Sequence, residues 1–361
     1  MTISVIGAGP AGSYSAYLLA KEGFNVNIFE EHNIVGKPIQ CTGITTSFIS
    51  NYINTNADFI VNKIDTVRVY SKNNSLEFKL KKKNIVMDRY GMDNYFLNKA
   101  LDIGAELNVS HRFIGTRDGQ ITFKNNGKII SLNKEIVVGA DGPNSQVAKS
   151  FGFIGKKDNL LGLQATIIGE FEEDVFQVFL GNKISPGFFA WIVPENRSRA
   201  RVGLAVRNSQ DKAYFENFIR NQGKVVDRQA GLIPVYNPKM QTEMDSVFLV
   251  GDAAGQVKAT TGGGILYALM AAEELACALK NHKSYEKGWK KRLGKSLSTH
   301  LLLRNCLNRF TDKEYDQLLE MLKHEKVKKL IQDYDREFPI VLLIKLSLFQ
   351  PGLLRYISKV I

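Results

Sequence analysis

Apolar positions cluster at the start of the chain in Ile3-Ser4-Val5-Ile6, stop at Gly7-Ala8-Gly9-Pro10-Ala11-Gly12, and resume in an alanine- and leucine-rich run to Lys21. Asn25-Val26-Asn27-Ile28-Phe29 then alternates polar with apolar residues and leads to Glu30. This order predicts a short strand, a glycine turn, a helix and a second strand closed by an acid. Residues 63–86 predict strands around an Asn73-Asn74 turn, and the stretch after Asp93 predicts a helix to Ala100 with a stop at Gly104. Between His111 and Glu135, the dipeptides Asp118-Gly119 and Asn126-Gly127 punctuate short antiparallel strands. Ile136-Val137-Val138-Gly139 predicts a buried strand ending on Asp141-Gly142, with Pro143, Asn144 and Ser145 opening a helix.

Farther on, residues 160–206 return to strand patterning, with Phe188 to Pro194 and Ala200 to Val206 separated by a polar turn from Glu195 to Arg199. Val247-Phe248-Leu249-Val250 delivers Gly251-Asp252-Ala253-Ala254-Gly255, a second glycine turn follows at Gly262-Gly263-Gly264, and Ile265 opens an alanine-rich helix. Helices are expected from Ser284 to about Arg336, before an apolar tail from Phe338 to Phe349.

At 361 residues, 44% of them hydrophobic, the chain exceeds the usual size of one compact unit, so two intertwined domains are expected. Cys41, Cys277 and Cys306 lie far apart without CxxC spacing, which argues against a disulfide framework or a zinc site. No apolar run approaches the ~18 residues of a membrane-spanning helix, and the first strand begins too early to leave room for a signal peptide. A cytoplasmic protein in peripheral contact with an anionic membrane is expected. The net charge is +12, and residues 281–361 carry 17 Lys and Arg against 9 Asp and Glu, a surplus of eight. Such a region suits an anionic membrane, an acidic partner, nucleic acid, or simply a solvated helical face.

The strongest chemistry is in the first glycine turn. Gly7 permits the tight turn, Gly9 lets backbone approach a pyrophosphate, and Gly12 lets the helix lie on the sheet. The helix N-terminus favours phosphate charge, and Glu30, placed to accept from a ribose hydroxyl, disfavours a phosphorylated ribose. Asp252, at the start of the second glycine cluster, can bind a polyol, and the two turns suggest one long cofactor held across both. Arg89 can clamp a diphosphate or form a surface ion pair. Cys41, in the loop Pro38-Ile39-Gln40-Cys41-Thr42-Gly43, is a candidate active-site residue or a buried thiol.

With these residues in view, the chain resembles the FAD-dependent geranylgeranyl reductase family, within the flavoproteins shaped like p-hydroxybenzoate hydroxylase. Pro38-x-x-Cys41-x-Gly43 matches that family's PxxCxG loop, and Phe189-x-Trp191-x-Val193-Pro194 with Gly203 is similar to its YxWxFP…G motif. Ala148 stands where the hydroxylase-like DGxxSxxR motif has arginine. The resemblance implies a mixed α/β fold with a Rossmann-type FAD-binding domain in residues 1–62, 87–155 and 240–282. An inserted antiparallel substrate sheet would occupy residues 63–86 and 156–239, and a basic helical region residues 283–361.

FAD would be held by Gly7, Gly9, Ala11 and Gly12 at the pyrophosphate and Glu30 at the adenosine ribose. Arg89 would lie near the diphosphate, Asp252 on the ribityl chain, and Gly264, Ile265, Cys41 and Thr42 near the flavin ring. Trp191 would line a prenyl pocket, and Cys41 is the candidate proton donor. The implied reaction is hydrogenation of C=C bonds in geranylgeranyl chains of diether lipid precursors, with ferredoxin or NAD(P)H as electron donor and no role for nucleic acid. The rivals are a flavin monooxygenase or halogenase of the same fold, opposed by the PxxCxG loop and Ala148, and a prenyl carrier without chemistry, opposed by the intact flavin clusters.

Overall fold

A computed structural model describes residues 1–155, 158–333, 337–349 and 352. The chain divides into two compact units, each assembled from three separate segments.

The first unit comprises Met1–Ile39, Arg89–Asp158 and Pro234–Leu297. Its main sheet has six strands in the order Glu243–Met244, Val247–Leu249, Ile136–Gly139, Thr2–Ile6, Asn25–Phe29 and Glu106–Asn108. All neighbours run parallel except the edge hairpin that pairs Glu243–Met244 with Val247–Leu249. Ile136–Gly139 and Val247–Leu249 are buried at every position, as strands covered on both faces require. The helices Pro10–Lys21, Arg89–Leu101 and Ile265–Lys280 pack together. The first of them begins with Pro10, where a missing N–H costs nothing.

The same unit carries an antiparallel sheet of Arg112–Arg117, Gln120–Asn125 and Lys128–Asn133. Its two turns fall on the expected dipeptides, with positive φ at Asp118, Gly119, Asn126 and Gly127. Phe113, Ile121 and Phe123 join this sheet to a core containing Phe29, Val137 and Leu249.

The second unit comprises Gln40–Asp88, Asn159–Ile233 and Ser298–Ile361. Its sheet has eight strands in the order Lys224–Pro234, Asn159–Ile168, Arg199–Val206, Ala190–Asn196, Val175–Phe179, Ile60–Tyr70, Ser75–Met87 and Ile44–Thr45. Val175–Phe179 runs parallel to Ile60–Tyr70, whereas the pairs around Arg199–Val206 and Ser75–Met87 are antiparallel. Helix Lys212–Ile219 sends Phe215 and Ile219 into a core with Ala165, Ile167, Val202 and Leu204. Helix Asp312–Leu322 starts in a capping box of Thr311 and Glu314, and Asp316 on it accepts from Ser71 and Asn73 at the strand turn.

The observed division departs from the expected one chiefly at two places, and it also moves residues 234–239 into the first unit. The expectation put residues 40–62 with the cofactor sheet and made residues 283–361 a separate region. The loop after Ile39 is hydrogen-bonded to the eight-stranded sheet, and the helices after Leu297 pack on its strands, so both belong to the second unit. Residues 283–297, with Tyr285 and Trp289 fully buried, belong to the first. The apolar tail forms helix Ile340–Phe349, where Leu342 and Leu346 pack with Val327; residues 334–336, 350, 351 and 353–361, part of the expected helical region, lie outside the described residues. No helix among the described residues is long and apolar enough to cross a membrane.

Candidate active site

In the first unit the glycine turn has the shape its sequence demands. Gly7 takes φ +102°, and a Cβ there would lie 2.4 Å from the Ala140 carbonyl oxygen. A Cβ on Gly12 would lie 1.9 Å from the Gly7 oxygen, so the helix seats on the turn only because residue 12 has no side chain. Gly9 differs from both: nothing comes within 4 Å of its Cβ position, and the backbone faces open space at the helix N-terminus. Glu30 is nearly buried, accepting from the Ala8 amide at 2.8 Å on one oxygen and from His32 on the other. An open glycine cradle beside a fixed acid fits the diphosphate and ribose of a dinucleotide.

The second glycine cluster closes the same unit. Gly251 opens a short helical turn to Ala254 and packs on Ala11, whose Cβ would be 2.7 Å from one on Gly251. Asp252 lies beside Gly264, with Oδ1 2.9 Å from the Cβ position there, and Gly264 caps helix Ile265–Lys280 without a side-chain cap. The positive end of this helix would stabilise a ligand oxygen placed at its N-terminus. From behind, Gln256 Oε1 accepts from Gly251 N at 2.8 Å, and Gln256 Nε2 donates to Tyr285 Oη, which donates to the Leu249 carbonyl. Complete burial pushes the Tyr285 hydroxyl well above the ordinary tyrosine value, so it remains a donor throughout. The sequence alone did not single out Gln256 or Tyr285.

Arg89, expected just ahead of a helix, is instead the first residue of helix Arg89–Leu101 and makes a bidentate pair with Asp93 at 3.0 and 2.9 Å. Asp141, in the Asp-Gly motif, accepts from Val147 N at 2.9 Å, while its Oδ1 is buried without a hydrogen bond among the described residues; burial pushes its pKa up, against the hydrogen bonds it accepts. Ala148 is buried in helix Gln146–Ser150, capped by Ser145.

The second unit brings Gln40 to Gly43 of the PxxCxG loop and the tryptophan motif to one sheet. Trp191 sits on Ala190–Asn196 opposite Gly203 of Arg199–Val206, which in turn faces Gln164 of Asn159–Ile168. A Cβ on Gly203 would lie 2.6 Å from Trp191 Cζ2, so the bare glycine is the slot across which the indole lies. Trp191 Nε1 reaches Gln164 Oε1 at 3.0 Å, and the Thr42 hydroxyl donates to that same oxygen at 2.6 Å. Arg201 donates to the Thr42 and Met87 carbonyls and pairs with Glu195 at 2.7 Å. Gly231 leaves room for Gln40, 2.9 Å from its Cβ position.

Cys41 is thus half-buried in a loop held on both sides, with Gly43 N 3.4 Å from its sulfur. Phe188 stacks on Phe189 at 4.4 Å, Phe189 meets Trp191 edge-on at 5.8 Å, and the Arg304 guanidinium lies 4.5 Å from the Phe188 ring. Burial pulls Arg304 down to about 10, and Arg207 nearby adds to the effect. Gln164, Arg201 and Arg304 also escaped the sequence reading. The signal for Gln164 was an amide amid Leu163, Ala165 and Ile167.

A family model described as the geranylgeranyl reductase catalytic domain matches residues 161–234, which contain Gln164, Trp191, Arg201 and Gly203; one described as an NAD(P)-binding Rossmann-like domain matches residues 5–44. The digeranylgeranylglycerophospholipid reductase of Methanocaldococcus jannaschii is 31% identical over 353 residues, covering 89% of this chain and 90% of the relative. The protein of the same name from Methanosarcina acetivorans is 29% identical, with 91% and 90% covered. Among solved structures, a geranylgeranyl bacteriochlorophyll reductase-like protein from Thermoplasma acidophilum superimposes with a TM-score of 0.87 at 23% identity, covering 100% of this chain and 99% of that one. A flavin-dependent brominase superimposes at 0.71 and 14% identity, covering 98% and 100%, and these two likenesses establish the fold. On the strength of the 31% relative, aligned across nine-tenths of both proteins, the chain belongs to the digeranylgeranylglycerophospholipid reductase family.

Proposed function

We propose that this protein reduces isolated C=C bonds in the geranylgeranyl chains of diether phospholipid precursors, using FAD. One observation carries the reading: the family's loop and tryptophan motifs converge on Gln164 and Gly203, within the segment that matches the reductase catalytic domain. When bound and reduced, FAD would supply the hydride. Gly7, Gly9, Ala11 and Gly12 would hold its pyrophosphate, Glu30 the adenosine ribose, Arg89 the diphosphate flank and Asp252 the ribityl chain. Gly264 and Ile265 would meet the flavin ring through backbone, and Cys41 and Thr42 would lie near that ring.

The chain's own residues have two tasks. An unactivated trisubstituted alkene has no carbonyl to polarise, so the barrier falls chiefly through positioning. Trp191, pinned by its indole N–H and backed by Phe189, offers a fixed apolar wall for a prenyl chain. The second task is delivery of a proton to the carbon that does not receive hydride, and Cys41 Sγ is the group we assign to it.

Electrons come from a ferredoxin or NAD(P)H, since the sequence has no second GxGxxG for a resident nicotinamide. The cationic surplus over residues 281–361 supports peripheral contact with an anionic membrane. Loss of residues 338–361 is then expected to reduce pelleting with anionic liposomes, and equal pelleting would refute that contact.

The deciding experiment is anaerobic. Dithionite-reduced protein is mixed with a geranylgeranylated diether phospholipid and the lipid is weighed by mass spectrometry. A gain of about 2 Da per reduced bond with flavin reoxidation is expected; an unaltered lipid, with oxygen-dependent hydroxylation of an aromatic instead, would overturn the proposal. In the same assay Cys41→Ala is expected to lose on the order of 100-fold in turnover, and unchanged turnover would remove Cys41 from its assigned role.

A further inference from the structure

Gln164 stands at the meeting point of three strands and a loop, yet no motif includes it. The residue is 4% exposed, and its single Oε1 accepts both the Thr42 hydroxyl and the Trp191 indole N–H. Its Nε2 is buried without a hydrogen-bond partner among the described residues. The amide is therefore oriented to satisfy two donors with its oxygen at the expense of its nitrogen, an arrangement that stability alone does not favour. Gly203, opposite both Gln164 and Trp191, supplies the gap that lets one oxygen serve both.

We propose that Gln164 is a positioning residue for the reaction: its amide oxygen ties the hydroxyl beside Cys41 to the Trp191 ring, so that the proton-bearing loop and the prenyl wall keep one fixed spacing. The inference rests on the reductase reading and deepens it. Thr42 links the two because its carbonyl is already held by Arg201 while its hydroxyl is held by Gln164. Losing the oxygen frees one side of the loop and one end of the indole together. A positioning loss of this kind appears in kcat rather than KM.

The test uses the full-length protein with Cys277→Ser, which removes the exposed thiol, and follows iodoacetamide labelling of Cys41 by peptide mass spectrometry without any lipid present. Gln164→Leu is expected to speed Cys41 labelling several-fold, and in lipid turnover to lower kcat by about tenfold with KM within twofold. Gln164→Glu, which keeps an oxygen acceptor, should return both readings to within twofold of the parent. Thr42→Val deletes one arm isosterically and should raise labelling as Gln164→Leu does, which covers the case of a Leu variant that does not fold. Labelling unchanged in both the Leu and Val variants, a Glu variant no better than Leu, or a change in KM alone would each overturn the proposal. If the parent reduces no prenyl lipid while the labelling pattern holds, the reductase reading fails and the linkage stands.

Discussion

Gly203→Ala offers the sharpest test of the tryptophan slot. The new Cβ would lie 2.6 Å from Trp191 Cζ2, 2.7 Å from Cε2 and 2.7 Å from the Leu163 carbonyl oxygen. Carbon atoms rest at roughly 3.5–4.0 Å, and the Leu163 backbone, fixed in the strand ladder, cannot yield. The buried indole must therefore retreat by about 1 Å, straining its bond to Gln164. Overpacking costs about 1–3 kcal/mol and a lost hydrogen bond about 1 kcal/mol, offset by about 0.5–1 kcal/mol because alanine suits a strand better than glycine. The net destabilisation is about 2 kcal/mol, or a melting temperature lower by about 4–8 °C for a unit of this size.

Differential scanning calorimetry measures that shift, and a Trp191→Phe partner isolates its cause, since phenylalanine lacks the ring atoms that collide. In the Trp191→Phe background the indole contacts are gone and only the Leu163 carbonyl contact remains, so the same glycine change should cost about 1 kcal/mol less. A fall of less than about 1 °C in Gly203→Ala, or an equal loss in both backgrounds, would refute the slot.

Three further outcomes follow from geometry in the first unit. Gly12→Ala places a Cβ 1.9 Å from the Gly7 oxygen, so a loss of about 3 kcal/mol or more is expected, and purified protein should lack flavin absorbance; retention of a full flavin complement would contradict the turn geometry. Tyr285→Phe leaves the Leu249 carbonyl and Gln256 Nε2 without their partner, costing about 1–3 kcal/mol and weakening flavin retention on dialysis, and a neutral result would show that the relay does not hold the Gly251 turn. Asp141 is raised by burial, so the folded state keeps its proton at pH values where the unfolded chain has lost it, and its contribution becomes steadily less favourable as pH rises from the ordinary aspartate value up to the raised folded value, above which the loss is complete. Asp141→Asn should accordingly melt above the parent at pH 7, with the gap closing as pH falls toward the ordinary aspartate value of about 3.9; a gap independent of pH would disprove it.

The elements legible in the sequence were those set by local rules. The first glycine turn, the Asp118-Gly119 and Asn126-Gly127 hairpins and the strand into Gly251 each combine a short apolar period with residues that tolerate positive φ. The start of helix Arg89–Leu101 was missed because Gly91 disfavours helix, while the Arg89–Asp93 pair one turn apart supports it. The order of the eight-stranded sheet was not legible at all, since register depends on partners far along the chain. Gln164 illustrates the consequence: its role exists only because Gly203 and Thr42 arrive beside it from 39 and 122 positions away.

The relay behind Gly251 also bears on how the protein is made. The first glycine turn emerges well ahead of the turn at Gly251, which is braced by Tyr285, and Val247–Leu249 must pair with Ile136–Gly139 to reach it. A nascent chain that already displays the phosphate cradle therefore has no braced second half until residue 285 has left the ribosome. If these turns hold the cofactor, its stable capture would wait for residue 285, and a chain stalled before that point would hold an exposed glycine cradle without its braced counterpart.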